Sequence, residues 1–168
     1  MYSDSKRSID IGRAQEIFTA AGPGVMKVVV THTKSDDDLQ KILSVRPDAI
    51  QVSYPFIFPL DRSYKVIRVT GKNSERCQDC DAVIIDGSMG SGTLFNHSFA
   101  EEVVKKSSHP VYLAGGLTPE NVADAIRTIR PCAVDVASGV EVTPGIKNCE
   151  KIRKFIENAR AAEKEMQS

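Results

Sequence analysis

The sequence predicts an α/β fold in which six parallel strands alternate with helices packed outside them. Six short runs are rich in β-branched and other apolar residues, and most are followed by a segment with apolar residues at helical spacing. The connections are a few residues long and carry capping or turn residues, the alternation that produces a parallel sheet covered by helices. Runs such as VMKVVVT (25–31) and AVIID (82–86) are nearly continuous in apolar residues, as strands buried on both faces should be.

Residues 1–7 read as polar loop. Ser8 can cap a helix whose Ile11, Ala14, Ile17, Phe18 and Ala21 share one face, and Gly22-Pro23-Gly24 stops it. The first strand is 25–31. Ser35 opens a second helix whose Asp36, Asp37 and Asp38 suit the positive end of its dipole and whose Leu39, Ile42 and Leu43 form the buried stripe. A strand at 49–52 follows. Residues 53–62 (SYPFIFPLDR) contain two prolines and read as loop, with Phe56, Ile57 and Phe58 packing down or lining a pocket. Strands at 65–69 and 82–86 flank a polar stretch that gives no clear helix. Helices at 99–106 and from Thr118-Pro119-Glu120 to about Arg130 surround a strand at 111–114. The last strand is 133–136. After a loop at 138–145, a final helix from Cys149 to Glu163 carries Ile152, Phe155, Ile156 and Ala159 on one face.

The 168 residues suit one domain with a real core. Lys and Arg total 22 and Asp and Glu total 22, so no basic stripe points to nucleic acid or to an anionic membrane surface. A small neutral or anionic metabolite fits better. No apolar run approaches the roughly 18 residues of a membrane span and the start lacks the apolar core of a signal peptide, so a cytoplasmic protein is expected. Among Cys77, Cys80, Cys132 and Cys149, the 77–80 pair has CxxC spacing. One such pair is half a zinc site, and a redox pair would open a helix in another fold, so reduced cysteines and no metal are expected.

The chemistry concentrates in 111–145. Two strands there run into glycine turns, Gly115-Gly116 and Ser138-Gly139. Backbone N–H groups at such turns, helped by a neighbouring helix N-terminus, can cradle a phosphate without a basic side chain. Asp86 ends a strand, where it suits either a substrate-facing acid or a loop-capping carboxylate. The loop 89–93 (MGSGT) would let backbone approach a ligand, although a lone GxG is common in turns.

Taken together, Asp86, Gly90-Ser91-Gly92 with Phe95, LAGGLTPENV (113–122), DVASGVE (135–141) and PGIKN (144–148) resemble phosphoribosylanthranilate isomerase of tryptophan biosynthesis. SKRSI (5–9) resembles that family's SPRxVS stretch. The resemblance implies the TIM (β/α)8-barrel family and an Amadori rearrangement of N-(5-phosphoribosyl)anthranilate without cofactor or metal. It implies Asp86 as general acid at the ribose ring oxygen, Arg7 paired with the anthranilate carboxylate, Asp135 on a sugar hydroxyl, and Gly115, Gly116, Ser138 and Gly139 around the phosphate. A general acid working near neutral pH needs a raised pKa, and a carboxyl at a partly closed barrel mouth beside a phosphate dianion is placed for that.

The chain departs from the pattern at its start. Met1 aligns where the family's second strand ends, so the expectation is a single domain over 1–168 that is an incomplete, N-terminally truncated barrel of about six strands. The family's strand-1 Cys, its general base, has no counterpart by position among the four cysteines. QLHG has become QVSY (51–54) and GGTGxxFDW has become MGSGTLFNH (89–97). An open sheet edge exposes unpaired backbone groups and predicts pairing with a second copy or a distortion that closes the edge. The alternative to the isomerase is a non-catalytic phosphosugar binder or partner subunit.

Overall fold

A computed structural model describes residues 1–2, 5–70, 79–86 and 97–167. The stretches 71–78 and 87–96 lie outside the described residues, and with them Cys77, the 89–93 loop and Phe95. The chain divides into two compact units, one made of Met1–Val69 and Cys77–Asp81, the other of Thr70–Arg76 and Ala82–Ser168.

The first unit contains α1 (Ile11–Ala21), β1 (Val28–Thr31), α2 (Asp36–Leu43), β2 (Ala49–Val52) and β3 (Lys65–Thr70). Its strands pair in parallel as β1-β2-β3, with Ile50 opposite both Val29 and Val66. Helix α1 is capped by Asp10, which accepts from the Arg13 N–H at 2.7 Å, and not by Ser8, whose own N–H donates to Ser5 in the preceding turn. A carboxylate two residues further on satisfies an early helical donor that Ser8 cannot reach. Ser35 caps α2 as expected, accepting from the Asp38 N–H. Strand β1 starts at Val28 because Lys27 is tied to the loop before β2: its N–H donates to the Asp48 carboxylate and its carbonyl accepts from Asp48 and Ala49.

The 53–62 segment is loop, and it splits its apolar residues between inside and outside. Phe56 and Phe58 are buried, whereas Ile57 is 95% and Leu60 84% exposed. Tyr54, Phe56, Phe58 and Tyr64 form a chain of edge-to-face ring contacts. Arg68 on β3 staples this loop: its guanidinium donates to the carbonyls of Tyr54 and Phe56 and forms an ion pair with Asp79 at 2.7 Å. Nearby, Asp81 accepts from Arg62 and from the Val66 N–H. Burial pushes both carboxyls up. The arginine and backbone hydrogen bonds outweigh it and hold Asp79 and Asp81 below the usual carboxylate range. Cys80 is disulfide-bonded, which corrects the expectation of reduced thiols, because CxxC spacing alone does not report whether two sulfurs meet. Cys132 and Cys149 are free and exposed.

The second unit contains β4 (Ala82–Asp86), α3 (His97–Lys106), β5 (Val111–Ala114), α4 (Val122–Ile129), β6 (Ala133–Val134), a 3-10 turn (Ser138–Val140), the strands β7 (Glu141–Thr143) and β8 (Ile146–Lys147), and α5 (Cys149–Gln167). Strands β4-β5-β6 are parallel, and Ile84, Ile85 and Leu113 are almost wholly buried. Helix α4 faces the core through Val122, Ala125, Ile126 and Ile129, and α5 docks beside it through Phe155 and Ala162. Strand β6 ends at Val134 rather than 136 and α5 runs on to Gln167 rather than Glu163, and two further features differ from expectation. Helix α4 begins at Val122, because Thr118 to Asn121 form a separate turn in which Asn121 Oδ1 accepts from the Thr118 N–H. Residues 141–147 form an antiparallel two-stranded ribbon where a loop was expected.

Ile84→Ala should lower stability to denaturant by about 3 kcal/mol, because it empties a fully buried site, whereas Asp10→Ala should cost only about 1 kcal/mol for a lost cap. Asp79 and Asp81 have folded pKa values below their unfolded ones. Their stabilising contribution is therefore complete above the unfolded value of about 4 and is lost as pH falls through the lowered folded values. Melting temperatures of Asp79→Asn and the parent should converge on acidification through that window.

Candidate functional site

The pairing of β4, β5 and β6 sets their C-terminal ends at one level. Asp86, the last residue of β4, lies opposite Ala114, the last residue of β5. The Asp135 N–H donates to Leu113 at 2.8 Å, so Asp135 continues β6 one residue beyond its last paired position. Asp86 and Asp135 are close enough that the charge of Asp86 raises the Asp135 pKa. The two carboxylates and both glycine turns therefore share one end of this sheet.

Gly115 and Gly116 have φ of 88° and 69°, left-handed conformations that favour glycine and turn the chain sharply after β5. The Gly116 carbonyl accepts from Asn121 Nδ2 at 2.9 Å, which ties the turn to the start of α4. Gly139 is needed for a different reason. A Cβ built on it would lie 1.9 Å from the Leu117 carbonyl oxygen, so the second turn packs backbone to backbone on the first. The two turns, read separately in the sequence, are one contiguous structure.

The ribbon 141–147 supports that structure from behind. Glu141 is buried, and its carboxylate accepts from Lys147 Nζ at 3.0 Å and from the Gly145 N–H at 3.2 Å. Lys147 Nζ also donates to the Ala137 carbonyl at 2.9 Å, and Lys151 Nζ donates to the Glu141 carbonyl at 3.1 Å. Asn148 caps α5, its Oδ1 accepting from the N–H groups of Glu150 and Lys151. Sequence reasoning placed Glu141, Lys147 and Asn148 in a motif and assigned them nothing. The available signal was a Glu and a Lys bracketing a Thr-Pro-Gly turn.

Among the described residues, the carboxyl held above the ordinary range is Asp135. Although part of its surface is exposed, the surrounding protein desolvates it, and this outweighs the Val136 N–H and the Lys147 charge, which favour the anion. Arg7 belongs to the first unit. It is exposed in the turn before α1, where its N–H donates to Ser5 Oγ. Among the described residues no group of three or more His, Cys, Asp or Glu could hold a metal ion, and no helix is long and apolar enough to cross a membrane.

Residues 2–158 match the family model of N-(5'-phosphoribosyl)anthranilate (PRA) isomerase. The chain belongs to this family. It is 58% identical over 164 residues to the N-(5'-phosphoribosyl)anthranilate isomerase of Methanoregula boonei, covering 97% of this chain and 84% of the relative. It is 38% identical over 167 residues to that of Natronomonas pharaonis, covering 91% and 80%. Among solved structures, phosphoribosyl anthranilate isomerase from Thermotoga maritima superposes with a TM-score of 0.76 at 30% identity, covering 94% of this chain and 84% of that one. A phosphoribosyl anthranilate isomerase in complex with reduced 1-(o-carboxyphenylamino)-1-deoxyribulose 5-phosphate gives 0.74 at 29%, covering 94% and 83%. A thiamine phosphate pyrophosphorylase from Pyrococcus furiosus, at 15% identity and 0.64, shares the fold alone. The fold is that of the barrel family the sequence predicts.

Gly139→Ala should disturb the 117–118 backbone and cost about 2–3 kcal/mol, more than the roughly 1 kcal/mol expected for a strained Gly116→Ala, as read by denaturant unfolding. Asp135 has a folded pKa above its unfolded value. The folded state therefore holds the extra proton, and stability falls as pH rises from the unfolded value through the raised folded one. Asp135→Asn removes this cost and should melt at a higher temperature than the parent at pH 7.

Proposed function

We propose that this chain is an N-(5'-phosphoribosyl)anthranilate isomerase of tryptophan biosynthesis, converting its substrate by an Amadori rearrangement to the ring-opened carboxyphenylamino-deoxyribulose phosphate. The single observation that carries the reading is the row of Asp86, the Gly115-Gly116 turn, Asp135 and the Ser138-Gly139 turn at one end of β4-β5-β6, in a chain of this family.

The rearrangement opens the ribose ring and then passes the C2 proton to a base. The family's base is a strand-1 Cys with no counterpart by position among Cys77, Cys80, Cys132 and Cys149, so the residues here account for the ring-opening proton and not for the C2 transfer. Opening needs an acid at the ring oxygen, since an alkoxide is a poor leaving group. Asp86 supplies that proton; its support is its position at a strand end facing the same space as Asp135. Asp135 accepts a hydrogen bond from a sugar hydroxyl. Its raised pKa supports this role, because a desolvated carboxylate gains more from a hydroxyl donor than one already in water. Gly115, Gly116, Ser138 and Gly139 bind the phosphate through backbone N–H groups. The direct packing of one turn on the other supports a single cradle over two separate ones. Arg7 pairs with the anthranilate carboxylate, a planar fork meeting a planar acid. The chemistry uses no cofactor or metal.

We place the protein in the cytoplasm, with self-association through a sheet edge. The family includes a protein described as dimeric phosphoribosylanthranilate isomerase, from Thermotoga maritima; sedimentation of the purified chain at several concentrations tests this.

The functional test follows the loss of substrate fluorescence on the purified chain. Asp86→Asn should reduce turnover by about 100-fold or more while binding of the reduced product analogue changes by no more than about threefold. Undiminished turnover in an active preparation of that variant would sink the assignment of Asp86.

A further inference from the structure

We propose that Lys147, held in place by the buried Glu141 carboxylate, is a positioning residue that aims the Ser138 N–H at the substrate's phosphate. The inference rests on the phosphate reading of the two glycine turns.

In a trans peptide the carbonyl of one residue and the N–H of the next point in opposite directions, so fixing one fixes the other. No peptide bond among the described residues is cis. Lys147 Nζ grips the Ala137 carbonyl at 2.9 Å and therefore sets the plane of the Ala137–Ser138 peptide, turning the Ser138 N–H away from the ammonium. The first turn is held by the same device with a neutral donor, since Asn121 Nδ2 grips the Gly116 carbonyl at 2.9 Å. Each turn thus has a carbonyl in or beside it tied back by a side chain from later in the chain.

A flexible lysine could not hold a carbonyl in one direction by itself, because its stem would lose several rotors in doing so. Glu141 removes that freedom. Its side chain is 5% exposed, and its carboxylate takes the second Lys147 hydrogen bond and also accepts from the Gly145 N–H at the ribbon turn. The Glu141 carbonyl accepts from Lys151 on α5, and the Asn148 N–H donates to the buried Val140. These contacts tie the ribbon to the 3-10 turn and to the final helix. A buried carboxylate paired to one cation is weak evidence of a stability role, since removing both charges is often neutral. A role in aiming a peptide explains why the cation's remaining hydrogen bond goes to a main-chain oxygen directly beside the turn.

The test measures the dissociation constants of inorganic phosphate and of the reduced product analogue by calorimetry, with KM and kcat alongside, for Lys147→Met, Lys147→Arg, Glu141→Gln and Ser138→Pro. Lys147→Met should weaken both ligands and raise KM by about tenfold, the equivalent of one charge-assisted hydrogen bond, with kcat within about threefold of the parent. Lys147→Arg should recover most of that loss, since a guanidinium can reach the same carbonyl, and Glu141→Gln should fall between the two. A merely structural role would lower melting temperature in these variants without this split or this rescue. If Ser138→Pro, which deletes the N–H itself, weakens phosphate while Lys147→Met does not, the positioning role is wrong and the phosphate site stands. If neither weakens it, the phosphate reading fails and takes this inference with it. Should Lys147→Met not fold, failure of Lys147→Gln to weaken phosphate overturns the proposal equally.

Discussion

The second unit depends on one close approach, that of Gly139 to the Leu117 carbonyl. There is no room for a side chain at that point, so the backbone after β6 lies directly on the backbone after β5. This single contact turns two strand ends into one surface. It also explains the order of elements around it. The strand β6 can be as short as two paired residues because the turn beyond it is held by packing on its neighbour and by the ribbon behind it.

Parallel pairing supplies the other half of the arrangement. Evenly spaced ladder bonds set Asp86 level with Ala114 and bring Asp135 beside them, so chemistry-bearing side chains are presented by rigid strand ends. Loops can then vary without moving these groups, which is how this fold class accommodates different reactions at one end of its strands. In the first unit the 53–62 segment is held by the Arg68 guanidinium, which bonds two main-chain carbonyls of the loop, those of Tyr54 and Phe56, and the Asp79 carboxylate.

Much of this was legible in the sequence. All six parallel strands stand where apolar runs predicted them, and helices form where apolar spacing predicted them, although of the predicted faces Ile17 in α1 and Ile156 in α5 stay exposed. The errors cluster where local signals compete. Ser8 and Asp10 are both good caps, and only tertiary geometry selects the second. Thr118-Pro119 looks like a helix start, yet Asn121 folds back on Thr118 and delays the helix to Val122. The ribbon 141–147 was invisible because strands of three and two residues carry no periodicity. For the site, glycine pairs after strands betrayed the turns. Nothing local indicated that the carboxylate of Glu141 is buried, since burial of a charge depends on a partner several residues away.

The Glu141–Lys147 pair has a further consequence for anyone altering this protein. A redesign guided by stability alone would see a buried charge on a two-stranded ribbon and replace both residues with well-packed apolar ones, a change often neutral or favourable to folding. The resulting chain would melt normally and pass every structural check short of atomic detail. It would have lost the only described side chain that fixes the direction of the Ala137 carbonyl. On the positioning role proposed for Lys147, thermal robustness and recognition in this part of the fold are governed by different atoms of the same two residues.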